Sequence, residues 1–464
     1  MEKVTLGFIP AHRVPFDEDW AVEMRKRTLD ALERMEEVVV VVPDAGLTQN
    51  GLVRDDAEAE KVVRLFEEKD VDGLLLGAMT FGDEISAVSI VERLGLPALL
   101  FGTKEGAFTA DGGRRSDAFC GTLSISSGLV RRKIPFVFSG IWFPEEEEFL
   151  QDVRRFAGTV SAIQRFVGAK IGLVGPRPER FETCAINEVP LIEQFGQRVI
   201  QLSLSEVFGA ARALKDEEAE VVRIVEEIQT RADCSAVSDE AIRKAAKLER
   251  VLLGFAEEKA LSGMGIQCWT AMQNDYGISS CMTMGRLTEQ GIMTSCEVDI
   301  HGALTMLAQY RATLGRTVPH FIDWTIQHQE KENVFLAWHC GNAPQCLVAD
   351  RGVCLRGHSI LGDMLGPECS MGTAEFQLKA GTVTLNRLVE YDGQFKMLIT
   401  KGEILSSDQE LRGSWSWVEV PDLKILYRTL VEEGFIHHAS MIHGDVTGEL
   451  ADFCAFLGIE AIIM

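Results

Sequence analysis

The chain has 464 residues, 46% hydrophobic and 25% charged, a globular composition too long for one ordinary core, so two or three domains are expected. Its 46 lysines and arginines face 70 acidic residues, a formal net charge of −24 that repels nucleic acid and anionic lipid at long range. The start, MEKVTLGFIPAHRVPF, has no basic stretch followed by a long apolar one, and no later run approaches a membrane span. A soluble, cytoplasmic protein with no nucleic-acid or membrane partner is therefore expected. Eleven cysteines stand singly, without a CxxC pair, which fits reduced thiols that serve mostly as small core hydrophobes.

In chain order, the first third alternates apolar runs with amphipathic stretches: VTLGFIP, a charged helix to about Glu37, VVVVVP, a helix around Ala57–Glu68, GLLLGA, another helix and ALLFG. That is the rhythm of a parallel sheet with crossover helices, and unbroken runs such as Val38–Val42 imply burial on both faces. The polar loop Gly102–Asp117 interrupts the pattern, Val137–Ile141 resumes it, and the acidic run Glu145–Glu148 suits a helix start. A second α/β unit is expected from Gly168, with the strand AKIGLVG and helices at Asp216–Thr230 and Ser238–Ala260. GMGIQCW, MTSCEVD and VPHFIDW follow as strands, with a helix over Gly302–Leu314.

From about Ala343 long helices give way to short strands, with Asp392–Gly393 as a hairpin turn. A helix after Pro421, the segment FIHHASMIHGD, another helix and EAIIM close the chain. The reading is two doubly wound α/β domains, 1–167 and 168–342, then a small antiparallel β-barrel-like domain, 343–420, with 421–464 returning to the second domain.

No GxxxxGK, GxGxxG, GxSxG or HExxH motif occurs, so the chemistry must come from dispersed residues. Glu297 follows a predicted strand and precedes a helix, where α/β folds place functional side chains. Asp323 and His339 each close an apolar run, and His437–His438 supply a further pair. Two carboxylates with one or two histidines suit a divalent cation accepting mixed oxygen and nitrogen ligands, Mn²⁺ more naturally than a thiolate-preferring metal. Such a cation polarises a carbonyl and its neighbouring hydroxyl, and a carboxylate beside it can abstract the adjacent proton, giving an enediol. Taken singly, a strand-end acid is more often a cap or turn former, and a lone histidine more often a satisfied half-buried one.

At these residues the chain resembles the L-fucose isomerase and L-arabinose isomerase superfamily, through GIQCW at 265–269, CEVDIHGALTML at 296–307, the strand-end Asp323, WHCGN at 338–342 and FIHHASMIHGD. The resemblance implies an aldose–ketose isomerase acting on an open-chain sugar as a homotrimer or homohexamer. It implies that Glu297 and Asp323 bind metal and exchange substrate protons, that His438 is the C-terminal ligand, and that His339 is an additional ligand of the arabinose isomerase kind. It further implies sugar contacts from Gln267 and His437. In this family a neighbouring subunit's first domain reaches the active site, so Arg114, Arg115, Ser116 and Asp117 could bind sugar in trans, as could His12 and Arg13. The equal alternative for Arg114–Asp117 is a solvated loop with a helix N-cap. Adjacent arginines also suit an anionic substituent such as phosphate or sulfonate. Trp269, Trp324, Trp338, Trp415 and Trp417 are stacking candidates, though such residues are more often core. The competing readings are a metal-dependent epimerase or aldolase and a non-catalytic carbohydrate-binding protein.

Overall fold

The computed structural model describes residues 3–464. It comprises two compact units: unit 1 runs to Gln164 and includes Ala455–Leu457, and unit 2 is Arg165–Cys454 with Gly458–Met464.

In unit 1, β1 (Val4–Ala11), β2 (Val38–Val41), β3 (Gly73–Ala78), β4 (Ala98–Thr103) and β5 (Val137–Trp142) form one sheet. The order is β2-β1-β3-β4-β5 and every pairing is parallel. GLLLGA and ALLFGT are buried throughout, as unbroken apolar runs require between two layers. The crossover helices Glu18–Leu32, Asp56–Glu68 and Glu84–Leu94 each start at an aspartate, Asp17, Asp55 or Asp83, that accepts a first-turn amide hydrogen. The acidic run at 145–148 leads, as expected, into the helix Glu147–Phe166.

Unit 2 begins with β6 (Lys170–Val174), β7 (Arg198–Leu202), β8 (Ala232–Asp233), β9 (Gly263–Ile266) and β10 (Met293–Cys296). It continues with β11 (His320–Gln327), β12 (Val334–His339), β13 (Val353–Gly357), β14 (Met371–Gln377), β15 (Gly381–Tyr391), β16 (Gln394–Leu405), β17 (Ser414–Glu419), β18 (His438–His443) and β19 (Glu460–Ile463). A four-stranded parallel sheet runs β10-β9-β6-β7, and a ten-stranded mixed sheet runs β19-β16-β15-β18-β11-β12-β17-β14-β13-β8. The molecule is thus a mixed α/β protein, with parallel sheets and one large mixed sheet.

Two features of that sheet differ from the sequence reading. VPHFIDW and NVFLAWHC, expected among the strands of the second α/β domain, are β11 and β12, which run antiparallel to each other in the mixed sheet. The connection 328–333 is too short for a parallel crossover, which needs a dozen or more residues. The strands of 343–420 also do not stand apart, because β15 pairs with β18, and β17 with β12. Since β16 also pairs with β17, the ladder β16-β15-β18-β11-β12-β17 returns to its start. Gly402 lies at that closure, where a Cβ would come within 2.7 Å of Val418. The predicted hairpin turn is present between β15 and β16, with φ of 53° at Asp392 and 79° at Gly393, the pair of positive values a two-residue type I′ turn needs.

Candidate metal and catalytic site

The parallel sheet delivers Glu297. Strand β10 ends at Cys296, and the next two residues, Glu297 and Val298, have φ of 58° and 61°. For a β-branched valine this left-handed conformation costs on the order of 1–3 kcal/mol, so the surroundings must impose it. They do so from both sides. The Val298 amide donates to the Ile266 carbonyl at 3.3 Å, and Asp299 caps the helix Ile300–Ala312 by accepting from the Gly302 amide. Neighbouring Gly265 leaves room for the turn, since a Cβ there would lie 2.9 Å from the Val298 carbonyl carbon.

The mixed sheet delivers the other groups. Asp323 on β11 is directly opposite His438 on β18, so the two side chains leave the sheet as a cross-strand pair. The Trp324 amide donates to the His437 carbonyl at 2.9 Å, extending that register, and His339 is the last residue of β12.

These elements bring Glu297, Asp323, His339, His437 and His438 together. His438 Nε2 is 3.3 Å from Glu297 Oε2 and 3.6 Å from Asp323 Oδ1, and His437 Nε2 is 3.7 Å from Glu297 Oε2. Donor atoms of Asp323, His339 and His438 lie within 4.8 Å of one another. Four of the atoms facing this space, Glu297 Oε2, Asp323 Oδ1, His339 Nε2 and His438 Nε2, are buried without a hydrogen-bond partner. Buried polar atoms are rarely left so, and two carboxylate oxygens with imidazole nitrogen are the donor set of a hard-to-borderline divalent cation. The residues therefore fit such an ion.

Electrostatics separates the two carboxylates. Burial opposes ionisation of Glu297, but the imidazoles of His437 and His438 beside it outweigh burial and bring its pKa down to about 2. Asp323 is pushed up to about 6 by burial, which the charges of the two histidines only partly offset. Burial would also lower His438, yet its bond to Asp299 and the neighbouring Cys184 and Glu297 raise it well above the usual histidine value.

Behind His438 lies a group the sequence reading missed. Its Nδ1 is 2.9 Å from Asp299 Oδ2, and Arg387 on β15 holds both oxygens of Asp299, with Nη2 3.0 Å from Oδ1. Asp299 stood inside the quoted motif, where its helix-capping position masked a second role. Arg387 was visible only as a lone arginine within the apolar strand VTLNRLVEY. Cys184, also missed, comes within 4.8 Å of the Asp299 and His438 donor atoms from the short 3-10 helix Glu182–Cys184 between β6 and β7.

The remaining expected site residues are placed as follows. Gln267 follows β9, its amide donates to the Val174 carbonyl, and its Oε1 is buried without a partner. Arg114, Arg115, Ser116 and Asp117 belong to unit 1 and are engaged there. Arg114 pairs with Asp117 at 3.1 Å, Arg115 Nε donates to Asp17 at 2.7 Å, and the amides of residues 115–117 converge on Glu105. Ser116 is fully buried, and Asp117 occupies the N-cap position with φ 56° but makes no side-chain capping bond. His12 is buried against Thr80, and Arg13 lies over Phe81 and pairs with Asp83 and Glu84. Trp415 and Trp417 pack with Val334 and Leu336 in a core cluster, and the Trp338 indole donates to the Arg412 carbonyl. Trp324 lies against Phe335, and Trp269 against Phe181 and His358.

Comparison with known proteins matches residues 7–167 to "Fucose/sulfoquinovose isomerase, N-terminal domain" and residues 337–464 to "L-fucose isomerase, C-terminal domain". Sulfoquinovose isomerase of Priestia aryabhattai is 27% identical over 464 residues, 99% of each chain. The proteins of the same name from Alkalicoccus urumqiensis and Clostridium sp. (strain MSTE9) are each 26% identical, over 84% of this chain and 86% and 85% of theirs. The matched domains and the relatives together define an aldose–ketose isomerase. The chain belongs to the fucose isomerase-like superfamily. Among solved structures, a periplasmic solute-binding protein from Actinobacillus succinogenes with bound D-allose aligns over 66% of this chain and 92% of its own, at 10% identity and a TM-score of 0.16.

Proposed function

We propose that this isomerase depends on a divalent cation, Mn²⁺ first, and interconverts an open-chain aldose and its ketose through an enediol. The observation that carries the reading is the convergence of four unpartnered buried heteroatoms, two from carboxylates and two from histidines. Glu297, Asp323 and His438 would hold the ion, whose chemistry when bound is to polarise the carbonyl and hydroxyl oxygens of adjacent carbons. Glu297 and Asp323 then act on the hydrogens: one takes the proton from the carbon beside the carbonyl and the pair returns it to the neighbouring carbon. His437, half-exposed with its ring tilted against that of His438 at a centroid distance of 4.0 Å, contacts the sugar, as does Gln267.

The relatives named sulfoquinovose isomerase make a sulfonated aldose the leading substrate. We further propose a cytoplasmic homotrimer or homohexamer in which Arg114–Asp117 of a neighbouring copy face the substrate, and we read the closed six-strand ladder as a small barrel that fixes Asp323, His339 and His438. The test is a Mn²⁺-reconstituted assay in deuterated water over neutral, phosphorylated and sulfonated aldoses, sulfoquinovose included. Ketose formation with deuterium at carbon 1 of the ketose and at carbon 2 of the recovered aldose is expected, fastest for the sulfonated sugar. Absence of exchange with every sugar would overturn the reading, and a C–C cleavage product would replace it with an aldolase.

A further inference from the structure

The two buried histidines of the site offer it opposite sides of the imidazole chemistry. His438 Nδ1 faces Asp299, which Arg387 keeps ionised and which can therefore only accept. In the neutral ring the hydrogen of His438 therefore sits on Nδ1, leaving the Nε2 lone pair on the side of Glu297 and Asp323, the arrangement of a metal-ligating histidine with a carboxylate behind it.

His339 is the reverse. The Cys340 backbone amide donates to His339 Nδ1 at 2.9 Å, and an amide can do nothing else. Nδ1 is thus the lone-pair nitrogen, and the one hydrogen of the neutral ring lies on Nε2. Its Nε2 is enclosed, has no partner, and shares with Asp323 and His438 a space in which donor atoms lie within 4.8 Å. A nitrogen that carries hydrogen has no lone pair for a cation. Shifting the hydrogen to Nδ1 would set two donors, Nδ1–H and the Cys340 N–H, against each other at hydrogen-bond distance.

We infer that His339 is not a metal ligand but a neutral hydrogen-bond donor, its Nε2–H aimed at an oxygen of the open-chain sugar beside the cation. This rests on the metal-dependent reading above. A fixed donor at that place strengthens as negative charge grows on the oxygen during proton removal, without protonating it.

Pulsed EPR of the Mn²⁺-loaded protein counts the imidazole nitrogens coupled to the ion. One is expected in the wild type and in His339→Gln, whose amide can still donate, and none in His438→Gln. Turnover should split accordingly: His339→Gln loses at most about tenfold in kcat/KM, while His339→Phe loses about a hundredfold or more at unchanged Mn²⁺ affinity. Two coupled imidazoles in the wild type, one of them lost in His339→Gln with weakened Mn²⁺ binding, would overturn the inference and leave the metal reading intact. A wild type that binds no Mn²⁺ overturns both. The wild-type spectrum decides even if His339→Phe does not fold.

Discussion

Both oxygens of Asp299 are committed, to Arg387 and to His438, while the same carboxylate caps a helix through the Gly302 amide. Arg387 and Asp299 are 1% and 2% exposed, so removing either strands the other in the interior. Asp299→Ala should cost roughly 3–5 kcal/mol in urea unfolding, chiefly from the uncompensated guanidinium. It should also weaken Mn²⁺ binding by about 10–100-fold, because His438 loses the acceptor that fixes its ring and tautomer. Unchanged Mn²⁺ affinity in a folded Asp299 variant would show that His438 needs no such support. Glu297→Gln and Asp323→Asn conserve shape and remove the base. Each should lower kcat by about 10²–10⁴-fold while the far-UV spectrum and melting of the metal-free protein stay close to wild type. Near-normal turnover in either would exclude that residue as a proton carrier.

At the scale of elements, the decisive contact is the approach of β9 to the turn after β10. Gly265→Ala would bring a Cβ to 2.9 Å from the Val298 carbonyl carbon and 3.0 Å from its Cα, and backbone cannot yield as a flexible side chain does. A stability loss of about 1–3 kcal/mol is expected, with a larger proportional loss of kcat because Glu297 is the preceding residue. Equal activity at reduced stability would show that the turn can move without Glu297. This site was partly legible in the sequence because Glu297 directly follows β10 and His339 ends β12, whereas Asp323, read as a strand end, lies within β11 and is set there by its pairing with His438. Two things were not legible. The antiparallel course of β11 and β12 depends on which edges pair, information the apolar runs do not carry. The Asp299–Arg387 pair joins residues separated by 88 positions, and a buried charge takes its partner from the fold rather than from its neighbours in sequence. The loop Arg114–Asp117 stood out by composition, yet Asp17, Glu105 and Asp117 already engage its groups within the chain.

For the molecule as a whole, cation binding, folding and protonation are coupled through unit 2, which contains every proposed ligand. Without the ion Asp323 holds a proton up to about pH 6, and His438, raised by Asp299 and Glu297 despite its burial, holds one beyond the usual histidine range. An ion must displace both, so its affinity should fall as the solution is acidified, by about tenfold per pH unit for each proton displaced. The sign for Asp323 in the metal-free protein is the opposite of the usual carboxylate case. Its folded pKa lies above the unfolded value, so the folded state binds the extra proton between about pH 4 and 6, and this group's contribution to stability declines as pH rises through that window. Mn²⁺ at a hundred times its dissociation constant should add about 2.7 kcal/mol, roughly 4 °C in the melting temperature of a unit of this size. The increment at a fixed Mn²⁺ concentration should be largest at pH 8 and should shrink steeply toward pH 5.5. Differential scanning calorimetry with and without Mn²⁺ at the two pH values measures it, and titration calorimetry in buffers of different ionisation enthalpy counts the protons released. An increment independent of pH, with no proton release, would mean that the ion binds somewhere other than Asp323 and His438.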